Sequence, residues 1–168
     1  MQDRNYAFSS SDVTAMVGIT PIYLNALVHR KVYGIAASIS DRHGEIKVRI
    51  FSAEDLFGVA LVWTLFESGL RPPSIREVLQ QLVEEPNAKL AAEFLAHSEV
   101  DYLGIIRESA KPKRKARPRL RVEPTMQEKL IGLVEECVAN YPTASILLVP
   151  VGQKFADVKQ KIDLKYGE

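Results

Sequence analysis

The chain has 168 residues, 46% of them apolar and 26% charged, with a net charge of +1 and one cysteine. That length admits one ordinary domain or two small ones, and the composition excludes a disordered or fibrous chain. A lone Cys137 excludes an internal disulfide and a multi-cysteine zinc site, and the most apolar run, Val59 to Phe66, is far too short to span a bilayer. The first residues are polar and unlike a secretory signal, so a cytoplasmic protein without membrane contact is expected.

Ser9 to Asp12 reads as a cap with an acid three residues on, and Val13, Met16 and Val17 form the apolar face of a first helix that Gly18 ends. Thr20-Pro21 opens the next helix: a hydroxyl to cap, then proline at the first helical position, where its missing N–H costs nothing. Leu24, Leu27 and Val28 continue at helical spacing, and only Gly18-Ile19-Thr20 separates the two helices, a tight helix-turn-helix connection. Over residues 35–51 the period changes. Ile39, Ile46, Val48 and Ile50 alternate with polar residues around Asp41-Arg42-His43-Gly44, which predicts a β-hairpin with its tip near His43-Gly44. Ser52 to Asp55 caps a third helix over about 53–68, with Leu56, Val59, Ala60, Trp63 and Leu65 or Phe66 inward and Gly69 closing it. Ser74 to Glu77 fits a capping box for a fourth helix that buries Ile75, Val78, Leu79 and Leu82 and stops before Pro86.

Beyond that break the pattern is a short helix at 87–97, a strand at 100–107, a Pro/Lys/Arg-rich connector over 109–121 and a short strand at 120–123. A helix then opens on a capping box at Thr125–Glu128 and runs to about Asn140, followed by an apolar strand at 144–151 and a terminal helix at 154–164. No internal repeat is visible. The fold class is α+β, divided into residues 6–85 and a small α/β unit at 86–168.

The first of these units resembles the MerR-type winged helix-turn-helix family. FSSSDVTAMVGITPIYL and VRIFSAEDLFGVALVWTLFESGLRPPSIREVL carry the resemblance, with Arg49, Phe51, Asp55, Leu56, Gly69, Leu70 and Ile75 in the family's spacing. Asn25, Ala26, Leu27 and Val28 stand where typical members carry an Arg-Tyr-Tyr-Glu-like run, and Pro86 interrupts the long dimerisation helix that usually follows. The resemblance implies binding to double-stranded DNA as a homodimer, with the helix at about 20–31 in the major groove and the hairpin at 39–50 as wing. The metal-sensing cysteines of some members are missing, so no metal sensor is implied.

Charge placement bears on that expectation. Residues 1–85 carry eight Lys/Arg against ten Asp/Glu, a poor total for a phosphate binder, yet His29 to Arg49 alone holds five cations against two acids. On the second helix Thr20, Tyr23, Asn25 and Arg30 are candidate DNA contacts, Asn25 because its amide matches an adenine edge. In the hairpin Arg42, Lys47 and Arg49 are candidate phosphate contacts, although Arg49 also has Asp55 within reach as a partner. The run KPKRKARPRLR at 111–121 holds seven basic residues and no acid, and reads as a DNA-binding arm that would offset the acidic rest of the chain or, nearly as well, as a solvated linker, with a localisation-like signal as a third reading. Cys137 falls on the stripe Met126, Leu130, Leu133, Val134, Cys137, Tyr141 and reads as core. Gly152 precedes a helix, where an anion site is possible in principle, and a plain strand-to-helix turn is the simpler reading. No catalytic constellation, cofactor motif or metal-ligand spacing stands out. The expectation is a dimeric transcriptional regulator whose C-terminal unit dimerises, through Ile146, Leu147, Leu148, Val149 and Val151, or senses an effector. A protein-interaction adaptor that keeps the winged fold without DNA contacts is the alternative.

Overall fold

The computed structural model of the chain describes residues 6–30, 32–42, 46–107, 120–141 and 143–167, and the side chains of all of these except 32, 38–42 and 46–48. Among the described residues there are seven α-helices and two three-stranded antiparallel sheets, an α+β chain as expected.

The first sheet begins with a two-residue strand that is too short to show any period in sequence, β1 (Phe8–Ser9). Ser9 then caps α1 (Ser10–Val17): its Oγ accepts from the Asp12 N–H at 3.2 Å, while Asp12 Oδ2 accepts from the Ser9 N–H at 2.8 Å. Gly18 ends the helix at φ 81°, a left-handed conformation that a side chain would strain. Thr20 caps α2 (Pro21–His29), and the chain bends by 119° from α1 to α2. A 3₁₀ turn at Val32–Gly34 leads into the hairpin of β2 (Ser38–Arg42) and β3 (Ile46–Phe51), and β1 adds to the other edge of β3 with Phe8 opposite Phe51. The expected hairpin tip at His43-Gly44 lies outside the described residues.

Ser52 and Asp55 repeat the capping box at the start of α3 (Ala53–Glu67). Every residue of α3 from Leu56 to Leu65 except Phe57 is buried. A helix apolar on all sides is a central one, and the others pack around it. α4 (Pro72–Leu82) starts two residues before the expected box. Pro72 and Pro73 fill its first positions after Arg71, which makes no side-chain cap, so Ser74 and Glu77 lie inside the helix. α5 (Ala88–His97) is capped by Asn87, whose Oδ1 accepts from the N–H groups of Lys89 and Leu90 at 3.0 and 3.3 Å.

The second sheet is β4 (Tyr102–Arg107) between β5 (Leu120–Thr125) and β6 (Ser145–Val149), with α6 (Leu130–Asn140) and α7 (Val151–Tyr166) on its two faces. The expected capping box at Thr125–Glu128 is not formed. Thr125 is the buried end of β5, paired with Tyr102, and a 3₁₀ turn at Gln127–Lys129 leads into α6 without a side-chain cap. Alternation along β4 separates the faces. Leu103 and Ile105 enter the main core, while Gly104 and Ile106 turn the other way, and a Cβ on Gly104 would lie 2.6 Å from Leu133 Cδ2 of α6.

One contiguous core runs from Phe8 to Ile162 and so draws on both halves of the sequence. α7 packs on α1, α3 and β4 through Val151, Phe155, Val158 and Ile162. Three lysines of α7 also hold α1. Lys154 and Lys161 donate to the Val17 and Met16 carbonyls at 2.7 and 2.8 Å, and Lys165 pairs with Asp12. Those carbonyls are ones the end of a helix leaves without an intrahelical partner. Burial alone would raise the Asp12 pKa, but the Lys165 and Ser9 hydrogen bonds outweigh it and hold that carboxyl below its usual range. Between α4 and β5, Gln81 bonds the Leu120 carbonyl and the Val122 N–H at 2.7 and 2.9 Å.

Candidate nucleic-acid interface

Leu24 and Leu27 anchor α2 to the core, which leaves Pro21, Ile22, Asn25 and His29 exposed on its outer side, with the C-cap Arg30 exposed beyond them. Thr20 is exposed at the N-terminus, and its Oγ1 accepts from the Tyr23 N–H at 3.3 Å, so this hydroxyl is a helix cap first. The helix end it caps still carries N–H groups without intrahelical partners, the kind of terminus that receives phosphate.

Tyr23 is half-buried and sits apart from this face. Its ring meets Phe66 and Trp63 with centroids 4.5 and 5.3 Å away, and burial pushes its phenol pKa up. Tyr23 therefore fixes the angle of α2 against α3. Arg49, half-buried on β3 opposite Ile39, donates from Nη1 to Asn25 Oδ1. It does not pair with Asp55, whose carboxylate accepts from Ser52 and lies 3.2 Å from Lys89. The link ties the hairpin to the outer face of α2 and orients the Asn25 amide, with its oxygen turned to the guanidinium. Backbone register places Arg42 opposite Ile46 and Lys47 opposite Asp41; their side chains are outside the description.

Of the basic run at 111–121, residues 111–119 lie outside the described residues. Arg121 is committed to the second sheet. It bonds Glu123 Oε1 at 2.6 Å and the Tyr141 hydroxyl at 3.2 Å, and these contacts, Glu123 first, push its pKa further up. Gly152 is a packing position. Its N–H donates to the Asp101 carbonyl at 2.9 Å, and a Cβ there would lie 2.9 Å from Asp101 Cα, so the plain-turn reading accounts for the glycine.

Asn25 and Arg49 are each legible in the sequence as candidate contacts, but their bond is not, because it joins residues 24 apart in the chain. The contacts of the three lysines of α7 are hidden for the same reason: basic residues at helical spacing read as a solvated face until a partner helix is placed beside them. The side chains gathered at α2 and β3 are an amide, a guanidinium and, one turn on, an imidazole. They are suited to hydrogen bonding and charge pairing.

No protein-family model matches the chain, and no curated protein matches it. Among the described residues no single helix is long and apolar enough to cross a membrane.

Proposed function

We propose that the chain is a sequence-specific transcriptional regulator that binds double-stranded DNA as a homodimer in the cytoplasm. The observation that carries this reading is the Asn25 amide, exposed on the outer face of α2 and oriented by Arg49 of the hairpin. The 119° bend from α1 to α2, the three-residue turn at Gly18 and the antiparallel hairpin that follows support it, since a helix-turn-helix joins two helices at about 90–120° through a short turn and a wing would follow it. In this reading α2 enters the major groove, Asn25 reads an adenine edge and the cations of the hairpin hold phosphate.

A second reading has its own support. Ile22 is 84% exposed on the same face, and residues 1–85 carry more acids than bases. An apolar side chain at that position suits a protein partner, although a thymine methyl would also accept it. Selection from a random duplex pool separates the two readings. A DNA-binding dimer enriches a two-fold symmetric site and loses affinity steeply as salt rises. Failure to enrich any sequence at low salt would select the adaptor.

The homodimer is proposed to form through the C-terminal half, with one change of residues. Val149 and Val151, expected at the interface, are fully buried within the chain. Among the apolar side chains exposed in that half, Ile131, Val134 and Val138 share one side of α6 and are 73%, 38% and 67% exposed, while Leu90, Phe94, Leu164 and Tyr166 are exposed on α5 and α7. Ile131→Glu and Val138→Glu together should convert the dimer to a monomer by sedimentation, with an unchanged circular dichroism spectrum. A dimer that survives both substitutions would place the interface elsewhere.

A further inference from the structure

Where α3, α5 and α7 converge, the facing positions are small. Ala53, Ala92, Ala96 and Ala156 stand where larger side chains would close the gap, and a partly open cavity of about 550 Å³ remains. Phe57 and Phe155 form its aromatic wall, meeting edge to face with centroids 5.5 Å apart. Its size and its largely apolar lining are those of a small-molecule site, and it lies between elements from the two halves of the sequence, a common location for one.

The charges around it are lopsided. Glu54, Glu93, Glu99 and Asp101 line the cavity against Lys89, Lys159 and His97. Lys89 lies 3.2 Å from Asp55, so its charge is already offset by a carboxylate outside the cavity. His97 Nδ1 is 2.8 Å from the Glu93 carbonyl, and Asp101 Oδ2 accepts from the Gln127 N–H at 2.8 Å. The Ser52 hydrogen bond, first among several causes, lowers the Glu54 pKa and so favours its carboxylate form. An anionic ligand would meet four carboxylates; a cationic one is drawn to them, and an aromatic wall also favours a cation over its ring faces.

We propose that this cavity binds a small amphipathic cation, with an apolar or aromatic body against Phe57 and Phe155 and an ammonium-type group at the carboxylates. The proposal does not depend on the DNA-binding reading, because its test measures occupancy alone. The full chain is titrated calorimetrically with two probes of nearly equal shape and opposite charge, 2-(1-naphthyl)ethylammonium and 1-naphthylacetate. The ammonium is expected to bind saturably with one site per chain, and about fivefold or more tighter than the carboxylate, the scale of partly exposed charge interactions. Glu93→Gln should weaken the ammonium about two- to threefold, as one rim charge does, and bring the two probes closer together. Ala96→Phe should abolish binding by filling the space, with the melting temperature retained. Ala96 lines the cavity and is exposed, so the added ring does not intrude on the packed core. Ala156→Leu, from the opposite helix, repeats the test should Ala96→Phe misfold. Equal affinity for the two probes, no saturable ammonium binding up to its solubility limit, or undiminished binding in a folded filled variant overturns the proposal.

Discussion

Val158→Asp should leave the chain mostly unfolded at 25 °C. Val158 is fully buried on α7, inside the core that also contains Phe8, Leu24 and Leu56 from the first half. The substitution forfeits the burial of a valine, about 1.5–3 kcal/mol. It also leaves a carboxylate unpaired in the core, which costs about 3–5 kcal/mol by comparison with broken buried ion pairs. Against a total stability of roughly 5–15 kcal/mol, that is most or all of it. On the same helix Lys161→Met removes only the bond to the Met16 carbonyl, for about 1 kcal/mol. Gln160→Asp, exposed, should change little. Urea titrations followed by circular dichroism and by Trp63 fluorescence give the comparison. Trp63 is the only tryptophan and lies on α3, so it reports on the first half while the substitution is in the second. Coincident loss of both signals is expected. If Val158→Asp left the Trp63 transition in place, the two halves would be separately folding domains. A chain ending near Ala110 would then be folded as well; with a shared core, that truncation strips α7 from α1 and α3 and should not fold.

What was legible in the sequence follows the range of the interactions. Caps are local, and Ser9, Gly18, Thr20 and Ser52 set the starts and stops of α1, α2 and α3 where their residue types predict. The pattern of a hydroxyl followed three residues later by Glu failed twice for local reasons of a different kind. Pro72-Pro73 is itself a helix start and takes precedence over Ser74, and Thr125 is held in β5 by its pairing with Tyr102. The start of α7 at Val151 rather than Lys154 escaped because Val151 also continues the apolar run of β6. Stripes were visible but their partners were not. Val151, Phe155, Val158 and Ile162 are spaced for one helix face, yet nothing in that spacing names α1 and α3 as the surface they cover. α6 shows the converse. Of the apolar stripe expected there, Cys137 is buried as read and Val134 is left exposed, together with Ile131 and Val138 beside it. The cavity rests on four alanines and was invisible because alanine suits any helix.

At the candidate interface, Asn25→Ala should lower the ratio of specific to random DNA binding by about 1–3 kcal/mol, or roughly 5- to 150-fold. An adenine asks an amide for an acceptor to its N6 and a donor to its N7, and the asparagine side chain supplies both. The oxygen of Asn25 already accepts from Arg49 and keeps a second lone pair for the base, while the guanidinium sets which end of the amide faces which way. Arg49→Ala should therefore act in two ways. It removes a cation, flattening the salt slope by about one unit if Arg49 also touches phosphate, and it releases the amide, so part of the specificity goes with it. The two substitutions share one bond, and their effects on specific binding should fall short of additivity by about 0.5–3 kcal/mol, as for residues in contact. Lys47→Ala is the comparison: a hairpin charge is shared by all sequences, so binding to the preferred and the scrambled duplex should weaken alike. Titrations of Asn25→Ala, Arg49→Ala, the double variant of these two and Lys47→Ala on both duplexes at several salt concentrations give every term. Should Asn25→Ala leave the ratio untouched, the absence of the Arg-Tyr pair from α2 would mean that this helix reads no bases through Asn25, and the exposed Ile22 beside it would point to a protein partner.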